Sequence, residues 1–465
     1  MELISLTSML VVILSVITFH LLPGRFRPYF LIIGSAICYY LFAGWGMVFI
    51  QYSVILSTYL IGKRLVKMQD GAARMYLFYT GCGLALLPIL CFKSILAFFP
   101  PVSTDGLLHT IFIPIGVSYY AFMAIGFLID VYYEELTDLP DIQYYAAFIG
   151  FFPLTLSGPI ERTNNFLKQL IGQATINHQS IKSAVRLILW GCFMKLVVAD
   201  RVSIYVDAVF NNIERHDAPT LTLASLLYPF QVYGDLGGYT LIVRGVSLLF
   251  GYEILKNFNN PFMARSIADF WRRWHMSLIN WLRDYVYTPL SFYFRDFGTT
   301  GAIMALFITF LLSGVWHDFE AKYLLWGAFH AMLLSVELTV FKRNFGKEKI
   351  AKVSGVHLSA IVRSGWVFLL FAVSQVFVCV TDLSELRLYI QRLAHNGPLF
   401  IDKTTLAYSA YGILVLLGRD SLSEYQLRPS WVQKDWWLII EFVFLLFSVI
   451  LFGIINHANF IYFKF

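Results

Sequence analysis

Of the 465 residues, 58% are hydrophobic and only 14% are charged, and the mean hydropathy is +0.66. This composition excludes a soluble globular protein and predicts an all-α polytopic membrane protein. The net charge of +6 falls in short loops with no dense basic patch, which excludes a nucleic-acid surface.

A helix needs about 20 largely apolar residues to cross a bilayer. Apolar runs approaching that length recur over 3–22, 29–42, 47–61, 75–92, 107–129, 187–199, 221–251, 299–316, 323–341, 365–380, 404–418 and 436–455. They predict roughly eleven to twelve transmembrane helices, supplemented by re-entrant and interfacial pieces. No long polar stretch intervenes, so 1–465 is expected to form a single domain. The first run follows the acidic Glu2 and reaches Pro23-Gly24-Arg25 without a small-residue cleavage site, so it is expected to stay as the first transmembrane helix. Lys and Arg gather at 25–27, 63–74 and 342–352, while 100–106 carries neither. By the positive-inside rule the N-terminus then lies outside the cytoplasm. The five cysteines stand singly in apolar runs, as packing residues do.

Two runs resist a simple crossing. FFPLTLSGPIER, within 144–160 and just beyond, holds Pro153 and Pro159 between basic loops and is expected to dip in and return. YGDLGGY interrupts 221–251, where Gly234, Gly237 and Gly238 beside Asp235 are expected to unwind the helix. Both breaks point to a polar interior cavity. Farther on, Ile267, Phe270, Trp271, Trp274, Leu278, Trp281, Leu282 and Tyr285 recur at three- and four-residue spacing, with Arg272, Arg273, His275, Arg283 and Asp284 elsewhere around the wheel. This pattern predicts an amphipathic helix with a cationic side at the cytoplasmic interface.

His275 and His317 stand in sequence otherwise suited to lipid. An imidazole changes charge near neutral pH and is costly to bury in hydrocarbon, so both ask for a chemical reason. His317 closes the run 299–316, and Ser313 lies one turn before it. A histidine there also fits a plain role, bonding a carbonyl at a helix terminus; His330 reads first as structural. As a base near neutral pH, His317 suits removal of a proton from an attacking hydroxyl. Trp271, Trp274, Asn280 and Ser313 are the candidate donors to an oxygen that gains negative charge. The arginines suit phosphates or an acidic carrier. His275 and His317 lie 42 residues apart with no carboxylate placed beside them by helix spacing, so neither a metal site nor a bound cofactor is expected.

The stretches 151–166, 233–262, 269–291 (DFWRRWHMSLINWLRDYVYTPLS), 312–331 (LSGVWHDFEAKYLLWGAFHA) and the terminal FIYFKF resemble the membrane-bound O-acyltransferases, in particular the bacterial branch that acetylates alginate. The resemblance implies a helical bundle around a tunnel, entered by an acyl thioester from the cytoplasm. It implies that His317 is the essential histidine and that His275 lies beside the donor path. It also implies acetyl-CoA as donor, a cell-envelope polysaccharide such as an exopolysaccharide or peptidoglycan as acceptor, and an extracytoplasmic partner resembling SGNH hydrolases that completes the transfer.

The tail, with Phe460, Tyr462 and Phe465, reads plainly as an aromatic anchor at the lipid interface with Lys464 reaching for the headgroups. It also resembles the C-terminal motif of the companion peptide in teichoic-acid D-alanylation, which implies Tyr462 as a transient acyl carrier. Leu241, where the alginate-type pattern has an acidic residue, is closer to the D-alanyl relatives. The leading expectation is acetyl transfer. D-alanyl transfer from a carrier protein to teichoic acid is the alternative in the same reaction class. A secondary transporter is the alternative of another class, suggested by membrane charges such as Lys195, Arg244 and Glu337 but lacking any internal repeat.

Overall fold

The computed structural model describes residues 6–98, 116–172, 174–341, 357–427 and 434–454. Among them every regular element is helical. Among the described residues, five helices are long and apolar enough to cross a membrane, and shorter apolar helices accompany them. The protein is thus an all-α polytopic membrane protein. Tyr462 and the rest of the tail lie outside the described residues, as do the loop lysines at 342–352 and the first part of the run 107–129.

The contacts group the chain into two compact units, one of 1–188 with 240–256 and the other of 189–239 with 257–465. The first unit holds α1 (Leu6–Leu21), α2 (Arg27–Leu65), α3 (Ala72–Phe98), α4 (Val117–Tyr132), α5 (Ile142–Gly150), α6 (Phe152–Ser157), α7 (Thr163–Ile171) and most of α8 (His178–Phe193). Gly44, at φ 80° and ψ 170°, breaks α2 into two arms. The arms fold back on each other, because Tyr52 donates its hydroxyl proton to the Ile32 carbonyl 2.9 Å away although 20 residues separate them. The runs 29–42 and 47–61 are therefore separate helical arms. The proline-bearing run 144–160 is broken, as expected, at Phe151, whose backbone leaves the helical region, and at Gly158, whose backbone is extended. Just beyond it, buried Glu161 accepts from the Leu255 amide at 2.8 Å and from the Asn165 side chain at 2.6 Å.

The expectation for YGDLGGY is corrected. Helix α10 (Ala218–Leu249) runs through it without a break. The glycines serve close approach instead: a Cβ at Gly234 would stand 2.8 Å from the Met194 carbonyl oxygen, and one at Gly238 would stand 2.8 Å from that of Gly191. Without side chains in the way, α10 packs directly on the backbone of α8 and of the π-helical turn Met194–Ala199 that follows it. That contact lets Lys195 reach Asp235 at 2.6 Å and Asp200, at the start of α9 (Asp200–Phe210), at 2.8 Å. A buried cation between two buried carboxylates satisfies charges that would otherwise be costly in the interior.

The second unit continues with α11 (Ile267–Trp271), α12 (Met276–Leu282), α13 (Thr288–Tyr293), α14 (Gly298–His317), α15 (Ala321–Val340), α16 (Leu358–Cys379), α17 (Leu383–Arg392), α18 (Lys403–Glu424) and α19 (Asp435–Phe452). Polar side chains close several helix ends here. Asp382 accepts from the Ser384 and Glu385 amides at the start of α17, and Lys322 donates to the Val380 and Thr381 carbonyls at the end of α16.

Candidate active site

The amphipathic helix expected across 267–285 is broken, and its side chains are arranged otherwise than the helical wheel suggests. Helix α11 begins at Ser266, whose hydroxyl accepts from the Asp269 amide, and ends at Trp271. His275 then adopts a left-handed conformation, φ 43° and ψ 50°, which is uncommon for a residue with a Cβ. Asn257 holds the two residues that follow His275. Its carbonyl accepts from the Met276 amide at 2.8 Å, and its side-chain oxygen accepts from the Ser277 amide and hydroxyl at 3.1 and 2.9 Å. Helix α12 follows, and then the π-helical turn Arg283–Tyr287.

Arg273 is the clearest correction to the cationic side. It is fully buried, forks onto Glu424 at 2.7 and 3.0 Å and reaches Asp269 at 3.0 Å. The reason is local: the turn after α11 rotates Arg273 inward, where a planar guanidinium meets Asp269, four residues before it, and Glu424, to which no spacing pattern connects it. Arg272 stays near Asp269, 3.8 Å away, and is mostly buried. Arg283 is partly exposed and paired with Asp284 at 2.9 Å. Asn280 is half-buried, and Trp274 is buried among Phe270, Phe371 and Phe258.

His317 is the last residue of α14 and is partly exposed, whereas Ser313, one turn earlier, is buried. Its ring stacks on Tyr323 at 5.7 Å between centroids and meets Trp326 edge-on at 5.1 Å. Two glycines make this possible. A Cβ on Gly314 would lie 2.3 Å from the Tyr323 carbonyl oxygen, and one on Gly327 would lie 2.4 Å from that of Phe310, so α14 and α15 touch backbone to backbone. The chain reversal at Asp318–Glu320 then sets His317 against the first turns of α15.

Helix α15 presents one inward stripe, Tyr323, Trp326, His330 and Glu337, at three-, four- and seven-residue steps. Trp326 touches Trp271 at 5.8 Å, and His330 touches Trp271 at 4.8 Å. Glu337 fixes α11 to this helix, because its two carboxylate oxygens accept from the Ile267 amide at 2.7 Å and the Ala268 amide at 2.9 Å. A carboxylate at a helix N-terminus satisfies amides that have no partner within the helix. The structure thus joins His317 to Trp271 through Trp326, and His275 to the same region through Trp316, whose ring lies 6.5 Å from it and adjoins His317. Burial holds the His275 imidazole down at about 4, so it is neutral at physiological pH.

Sequence reading missed Tyr323, Trp326 and Glu424 and left Glu337 as a bare membrane charge. The stripe on α15 could have been found from its helical spacing. Glu424 carried no such signal, since it reaches Arg273 from 151 residues away.

The model of the MBOAT, membrane-bound O-acyltransferase family, matches residues 105–344, which contain every residue of the site except Glu424. The chain is 31% identical to the probable alginate O-acetylase AlgI of Pseudomonas putida over 69% of its own length and 67% of the relative's. It is 28% identical to the peptidoglycan O-acetyltransferase of Helicobacter pylori, over 49% of this chain and 48% of the relative. It is 30% identical to the teichoic acid D-alanyltransferase of Bacillus subtilis, over 49% of this chain and 59% of the relative. The chain therefore spans between about half and two thirds of the length of these relatives.

Proposed function

This chain belongs to the membrane-bound O-acyltransferase family, and we propose that it is the membrane subunit of an O-acetyltransferase that takes acetyl from acetyl-CoA on the cytoplasmic side. In this reading the acetyl group crosses the inner membrane and is esterified to a cell-envelope polysaccharide, with an extracytoplasmic SGNH-hydrolase-like partner completing the transfer. The observation that carries it is the placement of His317: a partly exposed imidazole at a helix end, oriented by Tyr323 and Trp326 within the residues the family shares.

The chemistry follows from that imidazole. His317 takes the proton of a hydroxyl as its oxygen attacks the thioester carbonyl carbon, a carbon–oxygen bond forms, the carbon–sulfur bond breaks, and the departing thiolate receives the proton. A single base thus serves both halves of the exchange. His275, neutral and clamped behind Trp316, lines the approach and is not the base. Of the arginines, Arg272 and Arg283 are the ones near which the donor's phosphates would sit, since Arg273 is already bound in buried ion pairs. The first acceptor hydroxyl is that of Tyr462, whose phenol needs a base to attack and then leaves readily from the ester.

D-alanyl transfer is kept as a second reading because of the Bacillus subtilis relative and Leu241. Against a transporter, Glu337 closes a helix end and Lys195 is held between two carboxylates, so neither marks a solute path.

The test is incubation of the purified chain with radiolabelled acetyl-CoA, comparing wild type with His317→Ala and Tyr462→Phe, followed by peptide mass spectrometry of the C-terminal residues. Label on Tyr462 that both substitutions abolish is the expected result. Acetyl-CoA consumption on addition of an acceptor, without label on Tyr462, would make the transfer direct. No consumption at all, with turnover of carrier-bound D-alanine, would replace the acetyl reading with the D-alanyl one.

A further inference from the structure

Three buried polar side chains beside His317 lack a hydrogen-bonding partner: the indole nitrogens of Trp271 and Trp326 and both ring nitrogens of His330. They are 2%, 5% and 1% exposed. They also touch one another. The Trp271 and His330 rings lie 4.8 Å apart, Trp326 and His330 5.0 Å, and Trp271 and Trp326 5.8 Å. More than about nine in ten buried polar groups find a partner, and each one left unmade costs about 1–3 kcal/mol. Three such groups touching one another therefore call for a partner they could share. Among the described residues, the rings that pack on the trio include Phe310, which meets Trp271 at 5.3 Å, and Phe371, which meets His330 at 6.4 Å, and neither carries a hydrogen-bonding group.

The chemistry of the trio is specific. Two indole N–H groups only donate, and a neutral imidazole adds one donor and one acceptor, so donors outnumber acceptors three to one. The missing partner is thus an oxygen that accepts several hydrogen bonds. The trio also stands one ring away from His317, because Trp326 meets His317 at 5.1 Å on one side and His330 on the other. We propose that Trp271, Trp326 and His330 receive the carbonyl oxygen of the acyl thioester and stabilise the negative charge it acquires during transfer. The proposal rests on the reading of His317 as base.

As the hydroxyl oxygen bonds to the carbonyl carbon and His317 takes its proton, the carbonyl π electrons move onto the oxygen, where the N–H groups hold them. They return to re-form the double bond as the carbon–sulfur bond breaks and the thiolate leaves with that proton. The site is rigid before substrate arrives: Trp326 and His330 sit one turn apart on α15, and Glu337 of the same helix pins the start of the short helix that ends in Trp271. Donors fixed in advance, in a site of low polarity, lower a barrier without reorganising during the reaction.

Trp271→Phe and Trp326→Phe keep an aromatic ring while removing the N–H together with part of the indole, and His330→Gln keeps hydrogen-bonding groups that His330→Phe removes. Turnover is measured with acetyl-CoA and with carrier-bound D-alanine, and the comparison uses whichever thioester the wild type consumes. Each Trp→Phe change is expected to lower kcat about 10²-fold while KM stays near wild type. His330→Gln is expected to retain more activity than His330→Phe. In the inactive His317→Ala protein, the infrared carbonyl band of bound ¹³C-labelled thioester is expected to shift to lower frequency, and to shift less when Trp326→Phe is added.

Wild-type kcat in both Trp→Phe variants, with His317→Ala inactive, would overturn the oxygen-binding role and leave the trio as packing. Consumption of carrier-bound D-alanine alone would defeat the acetyl assignment while the Trp→Phe ratios on that thioester still judge the pocket. Full turnover by His317→Ala would overturn both the base and the pocket that depends on it.

Discussion

Gly314→Ala is expected to disable the enzyme by moving helices rather than by removing any reactive group. The added methyl would stand 2.3 Å from the Tyr323 carbonyl oxygen and 2.9 Å from the carbonyl carbon, whereas ordinary contact begins near 3.4 Å. The opposing atoms are backbone in the first turn of α15 and cannot swing aside as a side chain would. Relief therefore requires the two helices to part by about 1 Å at this level, and such overpacking costs about 1–3 kcal/mol. The larger effect falls on the site, because His317 is three residues from Gly314 and its two ring contacts, Tyr323 and Trp326, ride on the helix that moves. A displacement of about 1 Å in a reacting geometry costs about 10²-fold in rate. The assay is thioester turnover and melting temperature of the purified protein in detergent. Gly365→Ala is the control, since it lies in α16 with nothing within 4 Å of the added methyl and should be neutral or stabilising by up to about 1 kcal/mol. Wild-type turnover and melting in Gly314→Ala would refute the claim that this glycine sets the spacing of the site.

Three further outcomes follow from the buried charges. Arg273→Met removes the cation that Glu424 and Asp269 share, leaving Arg265 3.4 Å from Glu424 and Arg272 3.8 Å from Asp269, and is expected to cost about 3 kcal/mol, with Arg273→Lys intermediate because an ammonium cannot fork; denaturant titration in mixed micelles measures both. Lys195→Met leaves Asp200 and Asp235 facing each other and should destabilise by a similar amount, relieved in part when Asp235→Asn is added; additive losses would show that the three do not act as one cluster. His275 carries a pH signature. Its folded value of about 4 lies below the value near 6.5 expected in the unfolded chain, so between them the unfolded chain takes up a proton that the folded one refuses. Its contribution is intact above about pH 6.5 and declines by about 3 kcal/mol as pH falls to about 4. His275→Asn, a residue that tolerates φ 43°, should flatten that part of the stability profile; identical pH slopes in the two proteins would contradict the buried, neutral assignment.

Much of the helical layout was legible because a bilayer imposes a length on apolar runs. The runs 299–316 and 323–341 return as α14 and α15 within a few residues. The breaks were harder, and the two glycine-containing cases show why. Gly44 takes a positive φ and folds α2 back on itself, whereas Gly234 and Gly238 stay helical and make room for a neighbouring backbone. Glycine permits either outcome, and the choice depends on what packs against it. The wheel drawn for 267–285 failed for a related reason, since it assumed one continuous helix, and His275 takes a conformation that no helix contains, with Asn257 holding the two residues that follow it.

The sequence by itself determined that the chain is helical and crosses a membrane, that it resembles an acyltransferase family, and that His317 stands at a helix end. These are properties of local composition, period and motif, which a linear chain carries openly. Only the tertiary structure decided that Arg273 is a buried structural cation, that Glu337 ties α11 to α15, and that Trp271, Trp326 and His330 meet beside His317. Those facts depend on groups brought together from as far apart as 151 residues, and hydrogen-bond and ion-pair energies are set by distance and burial, which sequence spacing does not encode.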